Sequence, residues 1–254
     1  MKIREVAEYY NNLLKIDNFA DDPSNNGLQL CGDEERQCCK IAYAVDAALA
    51  SIEQAVAAGA DMLVVHHGLS WGGGIRRWTG DIGRRFQAMF RGNLALYAMH
   101  LPLDAHEIYG NNAALADLIK LQDRQEFFPY HGMNIGAIGT LQNVDLEDVA
   151  QSVSGGLPWK IYSSAGKSHI IRMAAVVSGG AGMDGLLCAV KCGADLLITG
   201  EFDHTMYHVV QENNIHVIAL GHYNSETHGV RNLQKLAETK LNMQTVFLDI
   251  PTGL

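Results

Sequence analysis

Two stretches of the chain carry the same order of apolar and polar positions. Residues 41–68, IAYAVDAALASIEQAVAAGADMLVVHHG, run as an unbroken apolar segment, a helical pattern, a Gly-Ala-Asp turn and a second apolar segment. Residues 171–203, IRMAAVVSGGAGMDGLLCAVKCGADLLITGEFD, repeat that order, and Gly193-Ala194-Asp195 matches Gly59-Ala60-Asp61. Apolar runs without alternation predict strands buried on both faces, as in a parallel sheet. The helices predicted near 47–58 and 181–192 each end at a glycine suited to a left-handed cap.

The match continues downstream. Leu94-Ala-Leu-Tyr-Ala-Met predicts a buried strand running into His100-Leu-Pro-Leu-Asp104, and Ile215-His-Val-Ile-Ala-Leu predicts another running into Gly221-His222-Tyr-Asn-Ser-Glu226. Each is followed by a predicted helix, over 111–120 and 226–239. The paired placement of His-x-x-x-acid segments points to an internally duplicated α/β unit. The N-terminal MKIREVAEYYNN reads as an amphipathic helix. Residues from about 126 to 170 read differently, with the alternating NIGAIGTL, a DLEDVAQSV helix and a KIYSS strand. We therefore expect a metal-binding α/β domain from residues 1–125 plus 190–254, and a smaller α/β region over 126–189.

Composition narrows the function classes. With 254 residues, 48% hydrophobic and 19% charged, the chain can bury a substantial core. The net charge of −9 disfavours a nucleic-acid surface, because phosphate binding needs clustered cations. The nearest approach to one is Arg76, Arg77, Arg84, Arg85 and Arg91, which a solvated face explains equally well. No apolar run approaches the ~20 residues that cross a bilayer, so no membrane role is expected, and the N-terminus lacks a signal-peptide pattern. The expectation is a cytoplasmic protein. Cys31, Cys38, Cys39, Cys188 and Cys192 form neither a disulfide framework nor a thiolate zinc site, and Cys188 and Cys192 read as small apolar residues on a helix face.

The chemistry gathers at strand ends, where open α/β sheets carry their sites. His66-His67 follows the MLVV run, and Gly68 is expected to turn the chain so that both rings reach one site, since neighbours on a strand face opposite ways. His222-x-x-x-Glu226 places an imidazole and a carboxylate one helical turn apart. His100 to Asp104 reads as a loop version, with Pro102 opposing regular helix. Gly200-Glu201-Phe202-Asp203 closes a fourth strand. Imidazole and carboxylate without thiolate suits Zn, Mn, Fe, Co or Ni. Facing His-x-x-x-acid segments suit two divalent ions better than one, with Glu226 as the bridge, and such a pair activates water. Glu226 and His100 are the candidate catalytic groups.

Other motifs carry less. Ser164-Ala165-Gly166-Lys167-Ser168 resembles the end of a phosphate loop, but the required earlier glycine is Ile161. SWGGGIRRWTGDIG (70–83) reads equally as a flap or as a surface or subunit-contact loop. His204 and His208 could approach the site or pack on a helix. His106, His131, His169, His216 and His228 read as structural or surface residues.

SNNGLQLCG (24–32), VVHHG (64–68), LYAMHLPLDA (96–105), ITGEFDH (198–204) and ALGHYNSE (219–226) together resemble the Nif-three-like family of GTP cyclohydrolase 1 type 2 homologues. The resemblance spans nearly the whole chain. It implies two intertwined α/β domains with parallel-rich sheets, a dinuclear metal centre, and a toroidal homo-hexamer with metals facing an internal cavity. Its ligands fall on His66, His67, Asp104, His222 and Glu226, with His100 in an outer or auxiliary role. Two departures stand out. Gly68 replaces the family's usual proline, and Ser24-Asn25-Asn26 replaces its usual Trp-Asp-Asn. The expected function is a metal-dependent hydrolase of a small molecule, with nucleotides and other phosphorylated compounds as candidates. The alternative is a non-catalytic metal-binding ring protein acting through protein partners. Glu201, Asp203 and His204 discriminate between them, since a catalytic centre needs a substrate cavity lined by such groups.

Overall fold

A computed structural model describes residues 1–166 and 168–254. Lys167, part of the rejected phosphate-loop resemblance, lies outside the described residues. The chain divides into two compact units, Met1–Leu103 with Gly229–Ile250, and Asp104–His228 with Pro251–Leu254.

The first unit contains α1 (Ile3–Leu14), β1 (Gly27–Leu30), β2 (Lys40–Asp46), α2 (Leu49–Ala57), β3 (Met62–His67), α3 (Gly80–Arg91) and β4 (Ala95–Ala98). The short α4 (Leu101–Ala105) follows. The second unit contains α5 (Asn111–Leu118), β5 (Gln122–Tyr130), β6 (Met133–Asp145), α6 (Leu146–Ser154), β7 (Lys160–Ser163), β8 (Ile170–Val177), α7 (Gly182–Lys191), β9 (Leu196–Thr199), α8 (Met206–Asn213) and β10 (His216–Ala219). Helix α9 (His222–Lys240) begins in the second unit, and β11 (Gln244–Phe247) belongs to the first.

The first unit's sheet has the order β1-β4-β3-β2-β11, and the second's has β5-β6-β8-β9-β10-β7. The chain is thus α/β with both sheets mixed. Each has a parallel centre, β2-β3-β4 in one and β8-β9-β10 in the other. Each centre carries one antiparallel edge strand on its last member, β1 on β4 and β7 on β10. The second unit's sheet is less parallel than the sequence suggested, because β6 pairs antiparallel with β8 and with β5. Residues 126–189 do not stand apart from this sheet: β6, β7 and β8 join β9 and β10 within it.

The expected duplication extends to matching hydrogen bonds. The Asp61 carboxylate accepts from the Cys39 and Lys40 N–H groups, and that of Asp195 accepts from those of Arg172 and Met173. The Asp61 carbonyl accepts from Ala95 N and the Asp195 carbonyl from His216 N. Each Gly-Ala-Asp turn therefore fastens the start of three adjacent strands. Gly59 and Gly193 supply the left-handed backbone before it, at φ of 67° and 76°.

Burial explains the unbroken apolar runs. In the first unit Leu63, Val65, Leu96, Ala42 and Ala44 pack with Ile52 and Ala55 of α2 and with Phe86 and Met89 of α3. In the second, Ala174, Val176, Leu196, Ile198 and Ile218 pack with Leu115 and Ala116 of α5 and with Leu146, Val149 and Val153 of α6. Truncating one such leucine to alanine costs about 2–5 kcal/mol. Among the described residues, no helix is long and apolar enough to cross a membrane.

Candidate metal centre

The first unit presents three histidines together. One ring nitrogen from each of His66, His67 and His100 lies within 4.8 Å of the others. Strand β3 extends through both His66 and His67, so no turn at Gly68 is needed to bring them together. Their rings, 4.5 Å apart between centroids, are held toward the strands on either side. His66 Nδ1 meets the Met99 carbonyl just past β4 at 2.9 Å, and His67 Nδ1 meets Asp46 Oδ1 at the end of β2 at 2.8 Å. His100 Nδ1 meets Asp22 Oδ1 at 2.8 Å. Each acceptor is a carbonyl or carboxylate oxygen, so each Nδ1 carries a proton, which in a neutral ring puts the lone pair on Nε2. Metal-binding histidines are oriented in this way.

Asp22 anchors this region. Its carboxylate has no solvent-exposed side-chain surface and also accepts from Ser24 N, Leu101 N and Asn26 Nδ2. Burial pushes its pKa up, but His100, Asn26 and the Ser24 N–H outweigh it and hold the carboxyl below its ordinary value. Trp71, opening the glycine-rich 70–83 segment, donates to the Gly68 carbonyl and lies 5.0 Å from His100 between ring centroids.

The segment after His100 is helical, contrary to the loop expected from its proline. Pro102 sits in the first turn of α4, where a helix has no use for the missing N–H.

The second unit presents Asp104, His222 and Glu226. Asp104 Oδ1 accepts from Asn111 Nδ2 and Ser178 Oγ, both at 2.9 Å, which fixes the buried carboxylate. Helix α9 starts at His222, one turn earlier than expected, so His222 and Glu226 share its first turns. His222 Nδ1 meets Glu201 Oε1 at 2.6 Å, while Nε2 lies 3.1 Å from Glu226 Oε1. Hydrogen bonding and charge from Glu226, reinforced by Glu201, outweigh burial and raise the imidazole to about 9. Glu226 is only 3% exposed. A Cβ on Gly179 would stand 2.3 Å from Glu226 Oε1 and 3.2 Å from His222 Nε2. The space in front of the two donor groups therefore exists only because residue 179 has no side chain. These imidazole and carboxylate groups are of a kind that could hold a metal ion.

Beside His222, Glu201 and Asp203 line a cavity of about 480 Å³, together with Phe202 and Asn224. His204 and His208 are exposed, and His216 is a buried core residue whose Nε2 meets the Ser168 carbonyl at 3.1 Å. The supporting carboxylates Asp22 and Asp46 escaped the sequence reading. The β2/β3 register sets Asp46 opposite His67.

Residues 1–252 match the family model described as Duf34/NIF3 (NGG1p interacting factor 3). A protein of Archaeoglobus fulgidus called GTP cyclohydrolase 1 type 2 homolog is 42% identical over 255 residues, covering 100% of both chains. A relative of the same name from Pyrococcus horikoshii is 42% identical, covering 98% of each. The crystal structure of TTHA1606 from Thermus thermophilus superposes with a TM-score of 0.88 at 36% identity over 100% of each chain. The chain belongs to the Duf34/NIF3 family.

Proposed function

We propose that this chain is a metal-dependent hydrolase of a small molecule, with His66, His67, Asp104, His222 and Glu226 holding two divalent ions. The observation that carries the reading is the tethering of four histidines. The Nδ1 atoms of His66, His67, His100 and His222 all meet a carbonyl or carboxylate oxygen, so that in His66, His67 and His222 the atom directed to a metal would be Nε2. Bound divalent ions would supply Lewis acidity and bring the acidity of water toward neutrality.

The chain's own groups supply the rest. Asp46 and Glu201 fix the rings of His67 and His222. Asn111 and Ser178 orient Asp104. Glu226 would hold both ions. His100, backed by Asp22, is the candidate to carry a proton and is assigned no metal. The cavity lined by Glu201 and Asp203 favours turnover over a purely binding role, because a metal-handling ring would not require it. The name GTP cyclohydrolase 1 type 2 homolog borne by the relatives is consistent with hydrolysis of a purine-type substrate. The assembly expected with this reading is a homo-hexamer in the cytoplasm.

The test is a hydrolysis screen of nucleosides, nucleotides and phosphate esters with chelator-stripped and reconstituted protein. Turnover that returns with metal in wild type and stays absent in Glu226→Gln supports the reading. Turnover indifferent to chelation, or none on any substrate with metal bound, favours the non-catalytic alternative.

A further inference from the structure

Cys188 and Cys192 share one face of α7, as their spacing implied, but they are not core residues. Cys188 is half-buried, Cys192 is exposed, and neither is in a disulfide. The Cys192 N–H donates to the Cys188 carbonyl at 3.0 Å, which keeps the two one helical turn apart. Both line a cavity of about 410 Å³, where Phe127, Phe128 and Ile138 supply apolar walls and Met173 a thioether. The two thiols are hydrogen-bonded to each other, and the Phe128 N–H donates to the Cys188 sulfur. Phe128 makes that bond from a left-handed backbone, at φ 62°, which a bulky residue rarely adopts.

We propose that Cys188 and Cys192 form a two-sulfur site for a single soft monovalent cation of the Cu(I) type. Two other uses of the pair fit the geometry less well. Side chains one turn apart on a helix have Cβ atoms about 5–6 Å apart, whereas a disulfide needs them about 3.5–4.5 Å apart. The intact last turn of α7 therefore opposes a disulfide. One ion held by two metal–sulfur bonds of about 2.3 Å spans the wider gap. Structural zinc needs four ligands. Asp123 and Glu126 also line the cavity, yet among the described residues no carboxylate or histidine joins the two sulfurs in a group of close ligand atoms. Cu(I) has a filled d shell and accepts two thiolates in a near-linear arrangement, and soft sulfur donors select it. Binding converts two S–H groups and one Cu(I) into a dithiolate complex and two protons, with no change of oxidation state. Burial holds the Cys188 thiol above its ordinary value, so the displacement is favoured by rising pH. The site shares no ligand with the histidine and carboxylate centre and does not depend on the hydrolase reading.

The test is anaerobic titration of the reduced full chain with Cu(I) buffered by bicinchoninate, after loading with zinc and removal of the excess. One equivalent of copper should pass from the competitor to the protein, with proton release at neutral pH. Cys188→Ser and Cys192→Ser should each weaken retention by more than the roughly 10–100-fold that losing a mere supporting group costs. Cys39→Ser, which alters the adjacent Cys38–Cys39 pair instead, should leave retention unchanged. Cys192 is exposed, so its variant decides the matter should Cys188→Ser fail to fold. Copper left wholly with the competitor, or held as tightly by Cys192→Ser as by wild type, would overturn the proposal. Zinc that displaces the copper at equal concentration would overturn it too, because it would mark a site of more than two ligands.

Discussion

Gly179 lies against Glu226 so closely that any side chain at 179 would collide with the carboxylate, its Cβ 2.3 Å from Oε1. The backbone there is also left-handed, at φ 61°, so a side chain is strained even before the collision. Gly179→Ala must displace Glu226 or move the end of β8. We expect it to cost about 1–3 kcal/mol of stability and to lower bound metal by at least half. Thermal melting and elemental analysis read the two effects separately. Unchanged metal content would show that Glu226 Oε1 is not a donor.

His222 makes metal uptake depend on pH. Its imidazole holds a second proton up to about 9, through Glu226 first and Glu201 after it. A cation at Nε2 must displace that proton, so apparent affinity should rise about tenfold per pH unit and level off near pH 9. Titrations between about pH 6 and 10 measure this slope. Glu201→Gln should lower the levelling pH. For metal-free protein the sign is the reverse. The pair's contribution to stability is complete below the ordinary histidine value and is lost as pH rises through about 9.

Gly68 occupies the position where the family's proline was expected, and the structure shows what closes the space. A Cβ there would stand 2.4 Å from Gln29 Oε1 and 2.5 Å from the Ala98 Cβ. Gln29 Oε1 accepts from the Leu69 and Ser70 N–H groups, so it fastens the chain just past the histidines. Gly68→Ala should destabilise by about 1–3 kcal/mol. Adding Gln29→Ala should recover only part, because Ala98 remains. A double-mutant cycle with no coupling would show that the two residues do not compete for this space.

The matching roles of Asp61 and Asp195 predict matching costs. Each carboxylate satisfies two backbone N–H groups at the start of a parallel strand. Replacement by alanine should cost about 1–3 kcal/mol at either position, and Asp61→Ala slightly more because Arg36 also pairs with it. Denaturant unfolding of both variants checks this. A negligible cost at one position alone would mean that the duplicated turns have diverged in what they hold.

These turns were legible in the sequence because their signal is local: an apolar run, a glycine with positive φ, and an acid at a fixed offset. The βαβ order and the grouping of His66 with His67 followed from the same kind of signal. The polar groups behind the histidines were not legible as motifs. Asp22 meets His100 across 78 positions and Asp46 meets His67 across 21, and no spacing rule connects residues on different elements. The helix at Leu101–Ala105 is not legible because proline reads as a breaker unless its place in the first turn is known. The antiparallel side of the second sheet was missed because alternation in NIGAIGTL specifies a strand and not its partner.

The central claim is that His66, His67, Asp104, His222 and Glu226 hold two metal ions, and elemental analysis per chain tests it most directly. Wild type reconstituted with Zn, Mn, Fe, Co or Ni should carry two equivalents of at least one of them, and Glu226→Ala should carry one or none. Wild type that binds none of the five, or Glu226→Ala that still holds two, would contradict it.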